Sequence, residues 1–324
     1  VRHVPLKSLS RRSLNPLGSL QLIIELFKIY KRERPDLLIH YTHKPNILGG
    51  VPAWMLGIKS IAVVTGLGYA FIREGWLNRM TRVLYRLASR FHDKIIFENE
   101  DDLQYFVSEK ISKEHKLASI EGCGVDAQYY QPREKKEGGK TVFSFIGRLL
   151  YDKGIREFVE AGKIMLSENS DLEFWLIGDL DAGNPSMIEK EVLLGWVEDK
   201  SVRYFGFVDD LRPLIAQSSC IVLPSYREGM PRSVLEAMAM AKPVIVSDVP
   251  GCRQTVVHER SGYLFKARSV EALVEAMRKF VGLSYRNRQI MGDYGRKLVM
   301  DKFNKQKISE DFYQIISQVY FCDK

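Results

Sequence analysis

The order of apolar runs in this chain predicts an α/β protein made of two parallel-sheet domains. Short β-branched runs alternate with helix-forming stretches along the whole sequence, which is the pattern of open parallel sheets. A charged, Gly-containing stretch without periodicity, Arg133-Glu-Lys-Lys-Glu-Gly-Gly139, interrupts the alternation once and reads as a linker. At 324 residues with 45% hydrophobic content, the chain can bury two ordinary cores.

Before the interruption, Leu20 to Tyr30 reads as a helix, Asp36 to Tyr41 as a strand after Pro35, and Ile47 to Leu56 as mostly helical. Ser60 to Val64 is a strand, Asn78 to Phe91 a helix, and Lys94 to Phe97 a strand. Asp101 to Val107 is a short helix and Leu117 to Ile120 a strand. Thr141 restarts the pattern, with strands near 142–146, 173–177, 202–205, 220–223, 243–246 and 263–265. The expected domains are 1–135 and 139–304, followed by a helix within 305–324. Repeats and low-complexity tracts are absent.

Composition narrows the function classes. No run reaches the ~18 to 20 apolar residues that span a bilayer, and the start does not read as a signal peptide. Cys123, Cys220, Cys252 and Cys322 are scattered, and they read as reduced thiols of a cytosolic protein. The six histidines have no metal-ligand spacing, so no metal is expected. The net charge is +8, and residues 1–138 carry 22 Lys and Arg against 15 Asp and Glu. One carrier is the segment 76–91. Trp76, Leu77, Met80, Val83, Leu84, Leu87 and Phe91 fall at helical spacing, with Arg79, Arg82, Arg86 and Arg90 on another face. Two readings stand: a basic face resting on anionic lipid, or a solvated face of a helix packed on the core. Nucleic acid is disfavoured, because no recognition module accompanies the charge.

The most informative stretch is Glu228-Gly-Met-Pro-Arg-Ser-Val-Leu-Glu236. It follows the apolar run Cys220-Ile-Val-Leu-Pro224 and leads into a helix over Val234 to Met240, with Pro231 suited to a first turn. Strand, polar loop and helix start make an anion site, where free amides of 230–234 and the helix dipole face the ligand. A bare Glu-x7-Glu spacing is weak, but the whole string is specific. Upstream, Phe143-Ser-Phe-Ile-Gly147-Arg148-Leu-Leu-Tyr-Asp-Lys153-Gly154 places an Arg fork and a Lys point charge in a Gly-flanked loop after a strand. Leu172-Glu-Phe-Trp-Leu-Ile-Gly178-Asp179 and Ser201-Val-Arg-Tyr-Phe-Gly206-Phe-Val-Asp-Asp210 follow.

In order and spacing these four stretches resemble the family 4 glycosyltransferases of the GT-B fold, over most of the chain. The resemblance implies two Rossmann-like domains facing a cleft, the last helix, about Lys307 to Tyr320, returning to the first. It implies a donor nucleotide-sugar site in the second domain, built from Gly147, Arg148, Lys153, Gly178, Phe207, Val208, Glu228, Gly229, Met230, Pro231, Ser233, Val234 and Glu236. Arg148 and Lys153 would bind the diphosphate, Glu236 the ribose hydroxyls, and Glu228 would lie by the donor sugar. Arg148, Lys153 and Glu228 are thus the catalytic candidates. The resemblance also implies retention of configuration by same-face attack; the sequence itself shows no carboxylate pair that could be assigned to double displacement. Asp179-Leu-Asp181 has the metal signature of the other glycosyltransferase fold. Here it follows a strand through Gly178, and a turn aspartate is the better reading.

The first domain is expected to take the acceptor. His43, Lys44, Thr65, Gly66 and Asn99 all follow predicted strands, where open α/β sheets place ligands. For His43 and Lys44, ordinary loop polarity is the competing reading. Many relatives have a histidine where Thr65 or Gly66 falls, and this chain does not. Thr65-Gly-Leu-Gly-Tyr69 resembles the branch that transfers hexosamines to polyprenyl-diphosphate-linked acceptors. Such enzymes begin with a strand and a glycine-rich loop ahead of the segment matching Val4-Pro5-Leu6, so the first domain is expected to be shortened by two βα units. The resulting expectation is a metal-independent, retaining transferase, peripheral on the inner face of the plasma membrane. It would use a UDP-sugar and a lipid-linked saccharide in surface polysaccharide or glycan assembly. A nucleotide-sugar epimerase and a catalytically silent binding relic are the alternatives.

Overall fold

The computed structural model describes residues 2–9, 16–72, 75–133 and 139–321. The chain divides into two units: Val1–Ile120 with Glu310–Lys324, and Glu121–Ser309.

In the first unit the β-branched runs form β1 (Leu37–Tyr41), β2 (Lys59–Val64), β3 (Lys94–Phe97) and β4 (Leu117–Ser119), a parallel sheet in sequence order. Strand alternation sorts its two faces. Ala62, Val64, Ile95 and Phe97 pack with Tyr85 of α4 (Trp76–Ala88) and Phe106 of α5 (Glu100–Ser108). On the other face, Ile61, Val63 and Ile96 meet Phe312, Ile315, Ile316 and Val319 of the last helix (Lys305–Phe321). The helix α1 (Pro16–Glu33) buries Leu22, Leu26 and Tyr30 beside Ala53. Full burial of each such side chain is worth about 1.5–3 kcal/mol. The expected helix at 47–56 is two short ones, α2 (His43–Leu48) and α3 (Gly50–Met55), parted at Gly49. A Cβ at Gly49 would stand 2.5 Å from the His40 ring, so only glycine lets this bend close over His40.

Helix α4 departs from its expected packing. Its buried residues are Asn78, Thr81, Tyr85 and Ala88, while Trp76, Val83 and Leu87 are 71%, 51% and 47% exposed. The polar groups inside are satisfied: Asn78 donates to the Ala70 carbonyl and Thr81 to the Leu77 carbonyl. Arg82 pairs with Glu109, and Arg86 donates to the Glu109 and Lys110 carbonyls.

The second unit has a six-stranded parallel sheet of β5 (Thr141–Ile146), β6 (Leu172–Ile177), β7 (Arg203–Tyr204), β8 (Cys220–Leu223), β9 (Val244–Ser247) and β10 (Gly262–Phe265). Their order is β10-β9-β8-β5-β6-β7, so the direction of winding reverses between β5 and β8. Helices α6 (Ile155–Glu168), α7 (Lys190–Glu198), α8 (Arg212–Gln217), α9 (Arg232–Ala239), α10 (Val270–Val281) and α11 (Tyr285–Lys302) connect or cover the strands.

The boundary lies at 120/121, earlier than the expected 135. Residues 121–133 belong to the second unit because Val125 donates to the Phe303 carbonyl and accepts from the Lys305 amide, and Gly122 packs on Met230. The expected linker lies outside the described residues except for Arg133 and Gly139. The last helix, α12 (Lys305–Phe321), begins in the second unit and ends in the first.

Candidate functional site

Loops that leave neighbouring strands at a reversal of winding diverge, and the gap between them is where open α/β sheets receive ligands. In the second unit those loops follow β5 and β8, and they hold Arg148, Lys153 and Glu228. Glycines let the backbones crowd there. A Cβ on Gly178 would lie 1.9 Å from the Gly147 carbonyl oxygen, and one on Gly154 would lie 2.0 Å from that of Pro224. The Gly178 amide donates to the Gly206 carbonyl, which brings the ends of β5, β6 and β7 to one edge.

The turn Tyr151–Lys153 is tied to the loop after β8. The Tyr226 amide and the Ser225 hydroxyl both donate to the Asp152 carbonyl. The Glu228 amide donates to the Pro250 carbonyl, and Gly251 lies against the Glu228 and Gly229 carbonyls. These ties bring Lys153 Nζ within 2.5 Å of Glu228 Oε1, with both side chains largely shielded from solvent. Arg148 Nη1 lies 2.5 Å from Asp181 Oδ2, which also accepts from Asn184. Asp181 therefore serves as the carboxylate partner of Arg148. Each cation is held by a carboxylate, and an incoming anion would compete with that carboxylate for it.

Pro231 is the N-cap residue of α9, and the helix starts at Arg232, earlier than expected. Val234 is fully buried and its amide donates to the Pro231 carbonyl, so it supports the turn from behind. Gly229 and Met230 are buried and Ser233 is half-buried. Glu236 is buried one turn into α9; it faces the Tyr130 hydroxyl and lies 3.6 Å from Arg232 Nη2. Burial pushes the Glu236 carboxyl up, against the Arg232 charge and the Tyr130 hydroxyl that lower it. Burial, then the Glu236 charge, push the Tyr130 hydroxyl up to about 12, which keeps it a donor. Phe207 is 71% exposed and Val208 half-buried on the loop after β7.

In the first unit, His43 opens α2, and its Nδ1 is 2.7 Å from the buried Tyr85 hydroxyl. Its Nε2 faces Gly68, where a Cβ would stand 3.0 Å away. Burial holds the imidazole below its usual pKa. Thr65 is exposed, Lys44 and Gly66 are half-buried. Asn99 is turned inward: its Oδ1 accepts from the Asp102 amide as the N-cap of α5, and its Nδ2 donates to the Asp102 carboxylate. That position makes it the N-cap of α5.

Tyr130, Tyr85 and Asp181 were missed as partners of expected site residues. Each meets its partner across the fold, where no local spacing announces it. Among the described residues no three His, Cys, Asp or Glu side chains cluster to hold a metal ion. Two positive groups and two carboxylates at one sheet edge suit a ligand that joins phosphates to vicinal hydroxyls.

Comparisons with known proteins show the family and the fold. The profile described as "Glycosyl transferases group 1" matches residues 140–282, and "Glycosyl transferase 4-like" matches residues 2–99. The N,N'-diacetylbacillosaminyl-diphospho-undecaprenol alpha-1,3-N-acetylgalactosaminyltransferase of Campylobacter jejuni is 32% identical, over 82% of this chain and 73% of its own length. A UDP-Gal:alpha-D-GlcNAc-diphosphoundecaprenol alpha-1,3-galactosyltransferase of Escherichia coli is 26% identical, over 90% and 78%. Among solved structures, HepE of Anabaena in complex with UDP superposes with a TM-score of 0.77 at 18% identity, covering 93% of this chain and 84% of that one. The sucrose-phosphate synthase of Thermosynechococcus elongatus gives 0.81 at 19%, covering 100% and 86%.

Proposed function

Because the chain belongs to the family 4 glycosyltransferases and has their GT-B fold, we propose that it transfers a sugar from a UDP-sugar to a polyprenyl-diphosphate-linked saccharide. The donor sugar in this reading is an N-acetylhexosamine or a related hexose, and the product enters a surface polysaccharide or glycan. The names of the two bacterial relatives, both acting on undecaprenyl-diphosphate-linked sugars, support the acceptor class.

The observation that carries the donor assignment is the Lys153–Glu228 pair joining the loops after β5 and β8, with Arg148 on the same loop after β5 and Glu236 in the following helix. As the glycosidic bond breaks, negative charge grows on the leaving diphosphate, and fixed cations stabilise that charge most where it develops. In the proposed reaction Arg148 and Lys153 take up this charge in place of a metal. Arg148 leaves Asp181 for a phosphate, and Lys153 exchanges Glu228 for the other. Glu228, released from Lys153, then faces the donor sugar, where its charge supports an oxocarbenium-like centre. Glu236 accepts from the ribose hydroxyls. Attack on the same face, with the leaving phosphate taking the acceptor proton, retains the anomeric configuration.

The excess of basic residues in 1–138 supports a peripheral location on an anionic membrane, at its cytoplasmic face. No helix of the described residues is long and apolar enough to cross a membrane.

Calorimetry with UDP, GDP and ADP in excess chelator tests the donor site. UDP is expected to bind selectively, and Arg148→Ala to weaken it by roughly 10- to 100-fold, the loss of one charge-assisted contact. Equal binding of all three nucleotides, or an unaffected variant, would refute the assignment. Turnover with a polyprenyl-diphosphate saccharide then separates a transferase from a silent binder, and donor conversion without acceptor would reveal an epimerase.

A further inference from the structure

The neighbours of His43 determine which of its ring nitrogens carries the proton. Its Nδ1 lies 2.7 Å from the Tyr85 hydroxyl, and by distance alone either group could be the donor. If Nδ1 donated, the Tyr85 proton would need another acceptor in the core, where Tyr85 is 2% exposed. Among the described residues none is at hand. Asn46, which faces Tyr85, donates through Nδ2 to the Val63 carbonyl, and its Oδ1 is buried without a hydrogen bond. A buried hydroxyl without an acceptor costs about 1–3 kcal/mol, so Tyr85 donates to Nδ1 and the imidazole proton sits on Nε2. Burial raises the Tyr85 hydroxyl and lowers the His43 imidazole, which keeps the first a donor and the second neutral.

The surroundings of that Nε2–H are equally defined. It faces Gly68, whose φ is +59° and where a Cβ would stand 3.0 Å from Nε2, so glycine leaves the hydrogen uncovered. The turn is held in place by the fully buried Asp102, which accepts from the Leu67 amide and from Asn99 Nδ2. The Gly68 carbonyl in turn accepts from the Phe71 amide. Among the described residues His43 hydrogen-bonds only Tyr85, so Nε2 has no partner there. The segments after β1, β2 and β3 thus meet around one oriented polar hydrogen, at the strand ends where such sheets take ligands.

We propose that His43 determines acceptor specificity as a neutral donor, presenting its Nε2–H to an oxygen of the lipid-linked saccharide, and that Tyr85 is the positioning residue that keeps the hydrogen on Nε2. The oxygen belongs either to the diphosphate or to a sugar hydroxyl, since both accept such a hydrogen bond. The imidazole takes up no proton, which leaves the acceptor proton to the departing phosphate. This rests on the reading of the acceptor as a polyprenyl-diphosphate-linked saccharide and names a contact that would recognise it.

Two measurements on the whole chain test this. Long-range proton–nitrogen correlation spectra of protein labelled with nitrogen-15 histidine read each tautomer, and the His43 signals are those lost in His43→Gln. A protonated Nε2 beside a bare Nδ1 is expected at pH 7, with mixed tautomers in Tyr85→Phe. A proton on Nδ1, a cationic ring, or a Tyr85→Phe spectrum like that of the native chain overturns the assignment. Calorimetry then uses farnesyl diphosphate and farnesyl-diphosphate-linked N-acetylglucosamine as probes, with the melting curve of each variant as the check of its fold. His43→Leu is expected to weaken binding roughly 5- to 10-fold, and His43→Gln, which keeps an N–H, to recover most of it. Tyr85→Phe should weaken binding roughly 2- to 5-fold, through the fraction of His43 in the wrong tautomer. Loss for both probes places the contact on the diphosphate, and loss for the sugar-bearing probe alone places it on the saccharide. Full affinity in His43→Leu, or His43→Gln no better than His43→Leu, sinks the inference and leaves the acceptor class standing. If neither probe binds the native chain, the lipid-linked acceptor reading falls and takes the inference with it.

Discussion

Tyr130 lies outside every stretch that the sequence singles out, yet its hydroxyl faces the Glu236 carboxylate and the two shift each other's titration. Glu236 is buried, and a carboxylate taken out of water stays ionised only where donors compensate the lost hydration. Tyr130 and Arg232 supply that compensation, so removing the hydroxyl acts on the grip of Glu236 before anything else. Tyr130→Phe is expected to weaken UDP binding by roughly 3- to 10-fold, about one net hydrogen bond. Binding of 2′-deoxy-UDP, which lacks one of the hydroxyls that Glu236 is proposed to grip, should change less. Equal losses for both nucleotides in calorimetry would mean that Tyr130 serves only the fold. The same reasoning applies to Asp181, which pairs with Arg148, the residue proposed to take the diphosphate. Arg148, Lys153, Glu228 and Glu236 were legible because each sits in a string with its own loop and helix signals. Their partners were not, since the approach of Tyr130 to Glu236 spans more than a hundred residues of chain and leaves no local pattern.

At the scale of elements, the strands of both sheets were legible nearly to the residue, because buried parallel strands are short continuous apolar runs. Helix α4 was legible as a helix but not in its orientation. Periodicity shows that a face is apolar and says nothing of which face is packed, and here Asn78, Thr81 and Tyr85 are inside because each polar group found a partner. The boundary near 120 was hidden for a similar reason: residues 121–133 have loop composition, and only their pairing with 303–305 assigns them to the second unit. Glycines at the strand ends give a sharper forecast. Gly178→Ala would press a Cβ to 1.9 Å from a carbonyl oxygen, and it is expected to destabilise the second unit by about 2–4 kcal/mol. Gly57→Ala has open space around it at a φ of +66°, and is expected to cost only about 1–2 kcal/mol through backbone strain. Urea denaturation of the two variants tests the ranking.

For the molecule as a whole, pH acts through a buried pair of imidazoles. His40 bonds the Tyr30 hydroxyl at 2.8 Å and stacks edge-on to His92, whose ring joins Ser60 and the Asn46 carbonyl. Burial, then the neighbouring His92, lower His40 to about 3, and burial lowers His92 as well. A folded pKa below the unfolded one means that the unfolded chain binds the extra proton, so stability is retained above about pH 6.5 and lost as pH falls toward the folded value. The loss should approach roughly 1.4 kcal/mol per pH unit for each histidine inside that window. Denaturation midpoints between pH 7 and 5 check this, and a flat profile would refute it. The path of the chain sets a second constraint on the whole. Part of the first unit's core is Phe312, Ile315, Ile316 and Val319, which cover Ile61, Val63 and Ile96. During translation those apolar strands leave the ribosome long before their cover is synthesised. At about 5–20 residues per second the wait is on the order of 10–40 s. The nascent first unit thus spends that interval with one sheet face bare, a natural moment for chaperone engagement and the one at which a stalled ribosome would release an aggregation-prone product.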